Sequence, residues 1–421
     1  MLKRRTVLRT AVAGLAAGTA AATAGQARAA GPITIGFGMA LTGGIAPNGK
    51  AALLAMQIWE SDTNAKGGLL GRPVKLVYYD DQSNPSLVPG IYTKLLDVDN
   101  VDLVVSGYAT NMVAPALPVV MQHDAVFLGL LGLDANAEFK YPRYFSMNPA
   151  GGPRPREAFA RGFFDLAMQQ TPKPKTLAIA GADAEFPRNA IDGVLAIAKE
   201  LGLTLVYNKT YPPTTPDYTP IIHAIQATNP DIVFVASYPP DTVGMVRAAN
   251  EVGLKTKMFG GGMVGLQTTG IKAQLGPLLN GIVVYDFFLP WAKFASPEAL
   301  AFLKAYQQKA EGSGVDPLGY YLPPLAYSTM QVLGQAVEAT KSLDQEKLAE
   351  YIRGATFKTL VGDVRFGPRG EWAEAQVITV QFQNVKGNGI DQFRDPKTEA
   401  ILWPADGKTG TLIYPYTDAK T

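Results

Sequence analysis

Cysteine is absent from the 421 residues of this chain, and histidine occurs only twice, as His123 and His223. The missing cysteine excludes disulfides, thiolate nucleophiles, thiolate metal sites and a lipid-modified N-terminal cysteine. Neither histidine has a partner at metal-ligand spacing, so we expect no metal site and no bound cofactor. Long apolar runs are missing after residue 30, so no membrane-spanning helix is predicted. No Gly-x-Ser-x-Gly elbow occurs either, and these absences together argue against an enzyme.

The first 29 residues have the features of an export signal. A basic head contains the pair Arg4 and Arg5, and a weakly apolar stretch rich in alanine and glycine follows it. Ala27-Arg28-Ala29 then forms a small-x-small cleavage site. The paired arginines predict the twin-arginine route, with Val7 where that signal usually has phenylalanine. After cleavage near Ala29 the chain would be free in the periplasm.

The charge of the mature chain differs from that of the precursor. Cleavage removes five basic residues and no acid, which leaves 33 basic and 36 acidic residues and a net charge of −3. Nucleic-acid binding needs clustered positive charge, so no nucleic-acid partner is predicted. The remaining 392 residues exceed what one hydrophobic core usually organises, and two lobes are expected.

Short apolar strands alternate with helical segments over residues 33–130, and the same order restarts after 149–153. This alternation predicts an α/β fold with two doubly wound, mainly parallel sheets. The polar, turn-rich residues near the C-terminus are expected to form a surface tail. Ligands bind outside the carboxyl ends of the strands in such sheets. That rule selects the loops 41–49, 80–85, 106–112, 131–136, 182–188, 237–241 and 260–265.

Two glycine-rich segments are similar to nucleotide-binding motifs, and each departs from its pattern. Residues 44–51 nearly match a phosphate-binding loop, but Ala51 replaces the serine or threonine that would hold Mg²⁺. Residues 260–265 match Gly-x-Gly-x-x-Gly, but they lie late in the chain rather than in a first strand–helix unit. An exported protein also meets little soluble nucleotide. Both segments are interpreted as loops that face a different ligand.

Aromatic and aliphatic side chains follow several of the predicted strands. Tyr108, Phe186, Tyr238 and Met263 each fall at or just beyond a strand end. Such residues give a cleft apolar area together with a few hydroxyl groups. Each could instead pack a loop on a helix, but the four together favour a binding cleft.

From about residue 33 to 385 the chain resembles the periplasmic leucine/isoleucine/valine-binding proteins, which are solute receptors of ABC transporters. The resemblance depends on the order of short motifs, and no single motif decides it. These motifs are Ile33-Thr34-Ile35-Gly36, Asn64-Ala65-Lys66-Gly67-Gly68-Leu69-Leu70-Gly71-Arg72-Pro73-Val74, Tyr79-Asp80-Asp81, Asp231-Ile232-Val233-Phe234 and Val252-Gly253-Leu254-Lys255-Thr256.

The resemblance implies the type I periplasmic binding fold, in which two lobes are joined by three hinge crossovers. We place the crossovers near 147–151, 284–287 and 360–365. Lobe one then takes 31–147 and 287–361, lobe two takes 148–286 and 362–395, and residues 396–421 form the surface tail. The resemblance also implies a ligand held between the lobes, permease subunits in the inner membrane as partners, and a monomer.

The pocket departs from that of the amino-acid receptors at the group that binds the ligand's ammonium. In those proteins an acidic side chain lies where this chain has Gly262, and residues 260–265 contain no acid. A buried ammonium without a counter-charge would cost on the order of 3–5 kcal/mol. Asp183 or Glu185 could supply a carboxylate from another loop.

The resemblance assigns further pocket positions on both lobes. Asn48 replaces a bulky ring and leaves room for a larger ligand, while Leu133 stands where a threonine is typical. The hydroxyl or amide groups of Thr110 and Asn111, and backbone N–H groups near Ala109 and Gly132, could bind a carboxylate. The complete predicted site is Asn48, Tyr108, Ala109, Thr110, Asn111, Gly132, Leu133, Phe186, Tyr238, Gly262, Met263 and Tyr321.

The predicted solute is therefore an aromatic or other apolar carboxylate that lacks a free ammonium group. A branched keto acid, a small amide or a branched-chain amino acid are the alternatives. A ligand sensor for a membrane receptor would have the same fold and cleft. A transcription regulator would need a basic helix-turn-helix where this chain has its export signal.

Overall fold

The structure is a computed structural model that describes residues 31–420, so the predicted export signal lies outside the described residues. Within 31–420 no helix combines the length and the apolar character needed to cross a membrane.

The first sheet contains five parallel strands in the order β2-β1-β3-β4-β5. Its strands are β1 Ile33–Met39, β2 Val74–Asp80, β3 Leu103–Tyr108, β4 Phe127–Leu130 and β5 Tyr144–Met147. Strands β3, β4 and β5 are buried throughout, as expected for a parallel sheet covered on both faces. Its early helices are α1 Ala46–Ala65, α2 Val88–Thr93 with a π-helical extension Lys94–Val98, and α3 Thr110–Gln122.

The second sheet contains seven strands in the order β14-β13-β10-β9-β8-β6-β7. The parallel strands are β6 Thr176–Ala182, β7 Thr204–Tyr211, β8 Ile232–Ser237, β9 Met258–Met263 and β10 Val283–Asp286. A short hairpin, β11 Thr356–Thr359 and β12 Gly362–Arg365, precedes β13 Ile378–Phe382 and β14 Glu399–Trp403. Strand β13 pairs antiparallel with both β10 and β14. The predicted α/β fold with two doubly wound sheets is confirmed.

The remaining helices cover these sheets, and their ends follow local sequence signals. They are α4 Pro155–Met168, α5 Glu185–Leu201, α6 Thr219–Ala227, α7 Pro239–Val252, α8 Thr269–Leu275, α9 Pro297–Ala310, α10 Leu322–Thr340 and α11 Gln345–Gly354. Ser296 caps α9 by accepting from the N–H of Ala299, and Asp344 caps α11 in the same way. Gly202 ends α5 in the left-handed conformation, which glycine adopts without a Cβ clash.

The chain passes between the two sheets three times: after β5, after β10 and between β12 and β13. The first and third passages are hydrogen-bonded together. The N–H of Gly152 donates to the carbonyl of Trp372 at 2.7 Å, and the N–H of Gln376 donates to that of Pro149 at 2.8 Å. The chain thus returns to each sheet. Helix α10, late in the sequence, packs on helix α1 beside the first sheet. The lobe limits themselves stay a prediction.

The C-terminal segment differs from its prediction as a surface tail. Residues 396–421 include β14, which pairs with β13 inside the second sheet. Glu399 in this strand is fully buried and binds Lys272 of α8. The polar, turn-rich composition around this five-residue strand concealed it, since it is too short to show a period. Residues 260–263 likewise belong to β9 and not to a loop.

Candidate functional site

A cavity lies between the carboxyl edges of the two sheets, and we call it the inner cavity. Its free volume is about 20 Å³, room for about one water molecule, so its side chains nearly fill it in this form. Its wall contains side chains from both sheets, as expected for a ligand crevice of an α/β fold. The lining residues are Tyr108, Ala109, Thr110, Leu131, Asn148, Phe159, Phe186, Tyr238, Val264, Tyr285, Phe287 and Tyr321.

Aromatic rings form most of this wall and contact one another in series. Phe159 meets Phe186 edge-on with centroids 5.5 Å apart, and it lies 4.5 Å from Tyr285. Phe186 continues the series to Tyr238 at 5.7 Å. On the other side Tyr321 and Phe287 stack at 5.9 Å. Such edge-to-face and offset pairs stabilise each other and present ring surfaces to a planar apolar solute.

Four tyrosine hydroxyls supply most of the polar side-chain groups of the inner cavity, beside Thr110 and Asn148. The hydroxyls of Tyr285 and Tyr321 share a hydrogen bond of 3.0 Å, and Tyr108 and Tyr238 line the same cavity. Burial raises the pKa of all four phenols, Tyr238 included, above the usual value of 10. These groups are therefore neutral near pH 7, and each can donate or accept a hydrogen bond.

The N-terminus of α3 faces the inner cavity through Ala109 and Thr110. Ala109 has a φ of 88°. A residue with a Cβ adopts this conformation only at an energetic cost, and such residues cluster at functional sites. The first N–H groups of a helix have no acceptor within the helix, and its dipole favours negative charge there. The hydroxyl of Thr110 is held by the N–H of Leu133 at 3.0 Å. This corner of the cavity can bind an anion.

None of the described residues that line the inner cavity is charged. The nearest acid along the chain is Asp286, between Tyr285 and Phe287. Its Oδ1 accepts the N–H groups of Phe287 and Phe288, at 2.6 and 3.2 Å. Burial, together with the charge of Glu399, raises the pKa of Asp286 to about 8. An ammonium group in the inner cavity would therefore find hydroxyl oxygens but no ionised carboxylate on its wall.

Gly262 and Met263 lie in β9 and do not line the inner cavity, contrary to the prediction. A Cβ added at Gly262 would lie 3.3 Å from Cε1 of Phe159. The ring of Phe159 thus occupies the space into which a longer side chain at 262 would extend. The wall beside position 262 is therefore aromatic.

The other predicted residues fall in four places. Tyr108, Ala109, Thr110, Phe186, Tyr238 and Tyr321 line the inner cavity. Gly132 and Leu133 lie one layer behind its wall, where the carbonyl of Leu133 accepts from Asn189 at 2.9 Å. Asn48 is buried beside Thr268 in a separate small cavity. Asn111 lies at the edge of the inner cavity, where its Oδ1 accepts from the N–H of Phe186 at 3.2 Å and the hydroxyl of Tyr238 at 2.8 Å.

Six lining residues were not predicted. Tyr285, Phe287 and Asn148 lie in or next to predicted crossovers, and Leu131 and Val264 lie in predicted ligand loops. Their places in the predicted crossovers and ligand loops could have identified these five residues as part of the wall. No sequence signal pointed to Phe159, because helix α4 was not predicted.

A second, larger cavity lies outside the inner one, and we call it the outer cleft. Its volume is about 660 Å³. The predicted loops 41–49, 80–85 and 182–188 contribute to its wall. Asp183 and Glu185 lie here, near Arg188 at 3.9 and 3.8 Å, and not on the inner wall. They are therefore not placed to hold an ammonium in the inner cavity.

Two doubly wound sheets with an aromatic crevice between their carboxyl edges define a two-lobed solute receptor. The chain belongs to the periplasmic binding protein family, whose sequence profile matches residues 32–388. This match confirms the resemblance found in the sequence.

Known proteins of similar sequence or structure include receptors for amino acids and for an aromatic acid. The leucine-, isoleucine-, valine-, threonine- and alanine-binding protein of Pseudomonas aeruginosa is 24% identical over 365 residues, which cover 86% of this chain and 90% of that protein. A leucine-binding protein from Thermotoga maritima has the same fold, with a TM-score of 0.72 at 18% identity over 84% of this chain and 96% of the other. A solute-binding protein from R. palustris, solved with benzoate, gives a TM-score of 0.72 at 16% identity, covering 88% and 96%.

Proposed function

We propose that the protein is the exported, solute-capturing component of an ABC importer. It binds an aromatic or other apolar carboxylate without a free ammonium, and it delivers this solute to a membrane permease. The observation that carries the proposal is the inner cavity itself, whose wall is aromatic, uncharged and adjacent to the N-terminus of α3.

The uncharged wall of the inner cavity is an argument against a ligand with an ammonium group. Amino-acid ligands carry one, and burying it without a counter-charge would cost roughly 3–5 kcal/mol. That cost corresponds to roughly two to four decades in affinity. Phe159, which fills the space beside Gly262, supplies ring contacts in place of a carboxylate.

The helix N-terminus favours a carboxylate. In the proposed complex the ligand's carboxylate lies against the first N–H groups of α3, next to Thr110. The tyrosine hydroxyls bind its remaining lone pairs or a polar ring substituent. Charge-assisted hydrogen bonds of this kind are stronger than neutral ones, and the dry aromatic wall strengthens them further.

The proposed mechanism is closure of the two lobes around the solute. Solute binds one lobe first, and closure adds contacts from the other. Only contacts made in the closed state can shift the equilibrium between open and closed forms. Tyr108 and Thr110 adjoin the first sheet, while Phe186 and Tyr238 adjoin the second, so a ligand between them contacts both.

A branched-chain amino acid is the second candidate. It is favoured by the relative from Pseudomonas aeruginosa, whose name states binding of leucine, isoleucine, valine, threonine and alanine. Proteins of this fold have been solved with isoleucine and with benzoate. The shared fold therefore does not separate the two ligand classes. The uncharged, aromatic lining of the inner cavity favours the aromatic acid.

The test is a thermal-shift screen of residues 30–421 against benzoates, phenylpropenoates, keto acids, amides and branched-chain amino acids. A ligand at a hundredfold its Kd adds about 2.7 kcal/mol to the free energy of unfolding. We expect shifts with aromatic acids and none with leucine. A shift with leucine or valine but not with any aromatic acid would replace this proposal by the second candidate.

A further inference from the structure

The outer cleft and the inner cavity are neighbours that share one wall residue. Asn111 lines the outer cleft, Tyr238 lines both cavities, and Asn111 binds Tyr238 directly. Two hydrogen bonds to Asn111, from the hydroxyl of Tyr238 and the N–H of Phe186, lie at the boundary between the cavities. A solute that replaces the Tyr238 hydroxyl at Asn111 would connect the two spaces.

The outer cleft is much larger than the inner cavity, at about 660 against 20 Å³. Much of its wall is apolar and comes from both sides of the crevice. Ile45, Met112 and Phe139 lie on the side of the first sheet, and Pro213 and Pro240 lie on the side of the second. An apolar ligand group between these two faces would displace water from both. This burial of apolar surface lowers the free energy of the complex.

The charges of the outer cleft have a predominant sign. Four acids line it, Glu138, Asp183, Glu185 and Asp241, against one base, Arg188. Asp241 accepts the hydroxyl of Tyr211 at 2.7 Å, and burial raises its pKa to about 6. Even with Asp241 neutral, the acids outnumber the base. A second carboxylate in this cleft would be repelled.

We propose that the outer cleft is a second subsite of the same ligand site, which takes an apolar, uncharged extension of the solute. The inner cavity holds the aromatic acid, and the chain or second group attached to its ring crosses Asn111 and Tyr238 into the outer cleft. The inference rests on the proposed function, since it assumes an aromatic acid in the inner cavity.

The first experiment measures Kd by calorimetry for benzoates with a meta or para alkoxy chain, from methoxy to hexyloxy. Each methylene that enters the outer cleft should tighten binding about threefold to fourfold. If benzoate binds and Kd stays flat or rises as the chain grows, the second subsite is wrong while the proposed function stands. If none of these benzoates binds, both are wrong.

A variant pair locates the extension. Ala114→Phe adds a ring to the face of α3 that lines the outer cleft. It should abolish the gain, so that methoxy and hexyloxy compounds bind within about threefold of one another. Gln122→Phe, at the exposed end of the same helix, should preserve the gain. Equal gains in both variants would overturn the inference.

A second pair tests the charge. A chain that ends in a carboxylate should bind about tenfold more weakly than the same chain ending in a hydroxyl, because of the acids in the cleft. The double variant Asp183→Asn, Glu185→Gln should reduce this difference about threefold or more. No preference for the hydroxyl end in the parent protein would contradict the assigned ligand class.

Discussion

The hydroxyl of Tyr238 donates to Oδ1 of Asn111 at 2.8 Å, and this bond joins the start of α7 to the start of α3. The two helices follow strands of different sheets, so the bond crosses the crevice. The N–H of Phe186, in the first turn of α5, donates to the same oxygen at 3.2 Å. One amide group of the first lobe thus accepts hydrogen bonds from two elements of the second.

Asn111→Ala should favour the open form. It removes the acceptor of two cross-crevice hydrogen bonds, each worth about 0.5–1.5 kcal/mol. We expect benzoate to bind roughly 5- to 100-fold more weakly, and we expect a larger radius of gyration by small-angle scattering without ligand. Asn208→Ala, at an exposed position of β7, is the control and should change neither quantity. Unchanged affinity and size in Asn111→Ala would contradict this role.

Gly262→Asp should destabilise the protein without creating an amino-acid receptor. Its Cβ would press on Phe159, and its charge would be buried without a partner, at a cost of about 2–4 kcal/mol. The double variant Gly262→Asp, Phe159→Ala opens the space that the carboxylate needs. Calorimetry should detect leucine binding only in the double variant, with denaturation by urea as the measure of stability. Leucine binding by the single variant would show that Phe159 does not block the position.

Lys272→Met should be strongly destabilising. Lys272 and Glu399 are 2% and 0% exposed, with Nζ 2.8 Å from Oε2, and they join α8 to β14. Removing the lysine leaves a buried carboxylate without its partner, at about 3–5 kcal/mol. The double variant Lys272→Met, Glu399→Leu should recover most of this loss in urea denaturation. A double variant as unstable as the single one would mean that packing, not charge, dominates here.

The stability of the protein should fall as pH rises from about 4.5 to 8 because of Glu371. Burial, and next the charge of Asp134, raises the pKa of this carboxyl from 4.5 to about 8. Between those values the unfolded state loses its proton and the folded state keeps it, so deprotonation favours unfolding. Glu371→Gln removes this dependence and should add roughly 2–4 kcal/mol relative to the parent at pH 8. The two proteins should differ least near pH 4, and parallel pH profiles would exclude Glu371 as the cause.

The strand–helix alternation was readable from the sequence where residues repeat a strong local pattern. The strand Ile232–Ser237 is apolar up to its last residue and is fully buried, and Gly202 and Gly253 end helices α5 and α7. Strand β14 and helix α4 were missed, because each is recognisable only from its packing on the second sheet. Whether such a segment forms a strand or a helix depends on its tertiary contacts more than on its local propensity.

The candidate site was predicted in part for the same reason. Tyr108, Phe186 and Tyr238 follow strand ends, and topology alone brings them together. The role of Phe159 depends on a distance, 3.3 Å from a Cβ at 262 to its ring, between residues more than a hundred positions apart. No sequence period reports such a contact.

The hydrogen bonds between the first and third passages have a consequence for how this chain could be cut or rewired. The third passage exposes Arg369 at a turn, while its flanks are tied to Ser146 and Pro149 by the carbonyl of Gly370 and the N–H of Gln376. A break after Arg369 would leave β13 and β14 paired in the second sheet and both other passages intact. The nicked protein should therefore remain one particle, and position 369 is a suitable new terminus for a circular permutant.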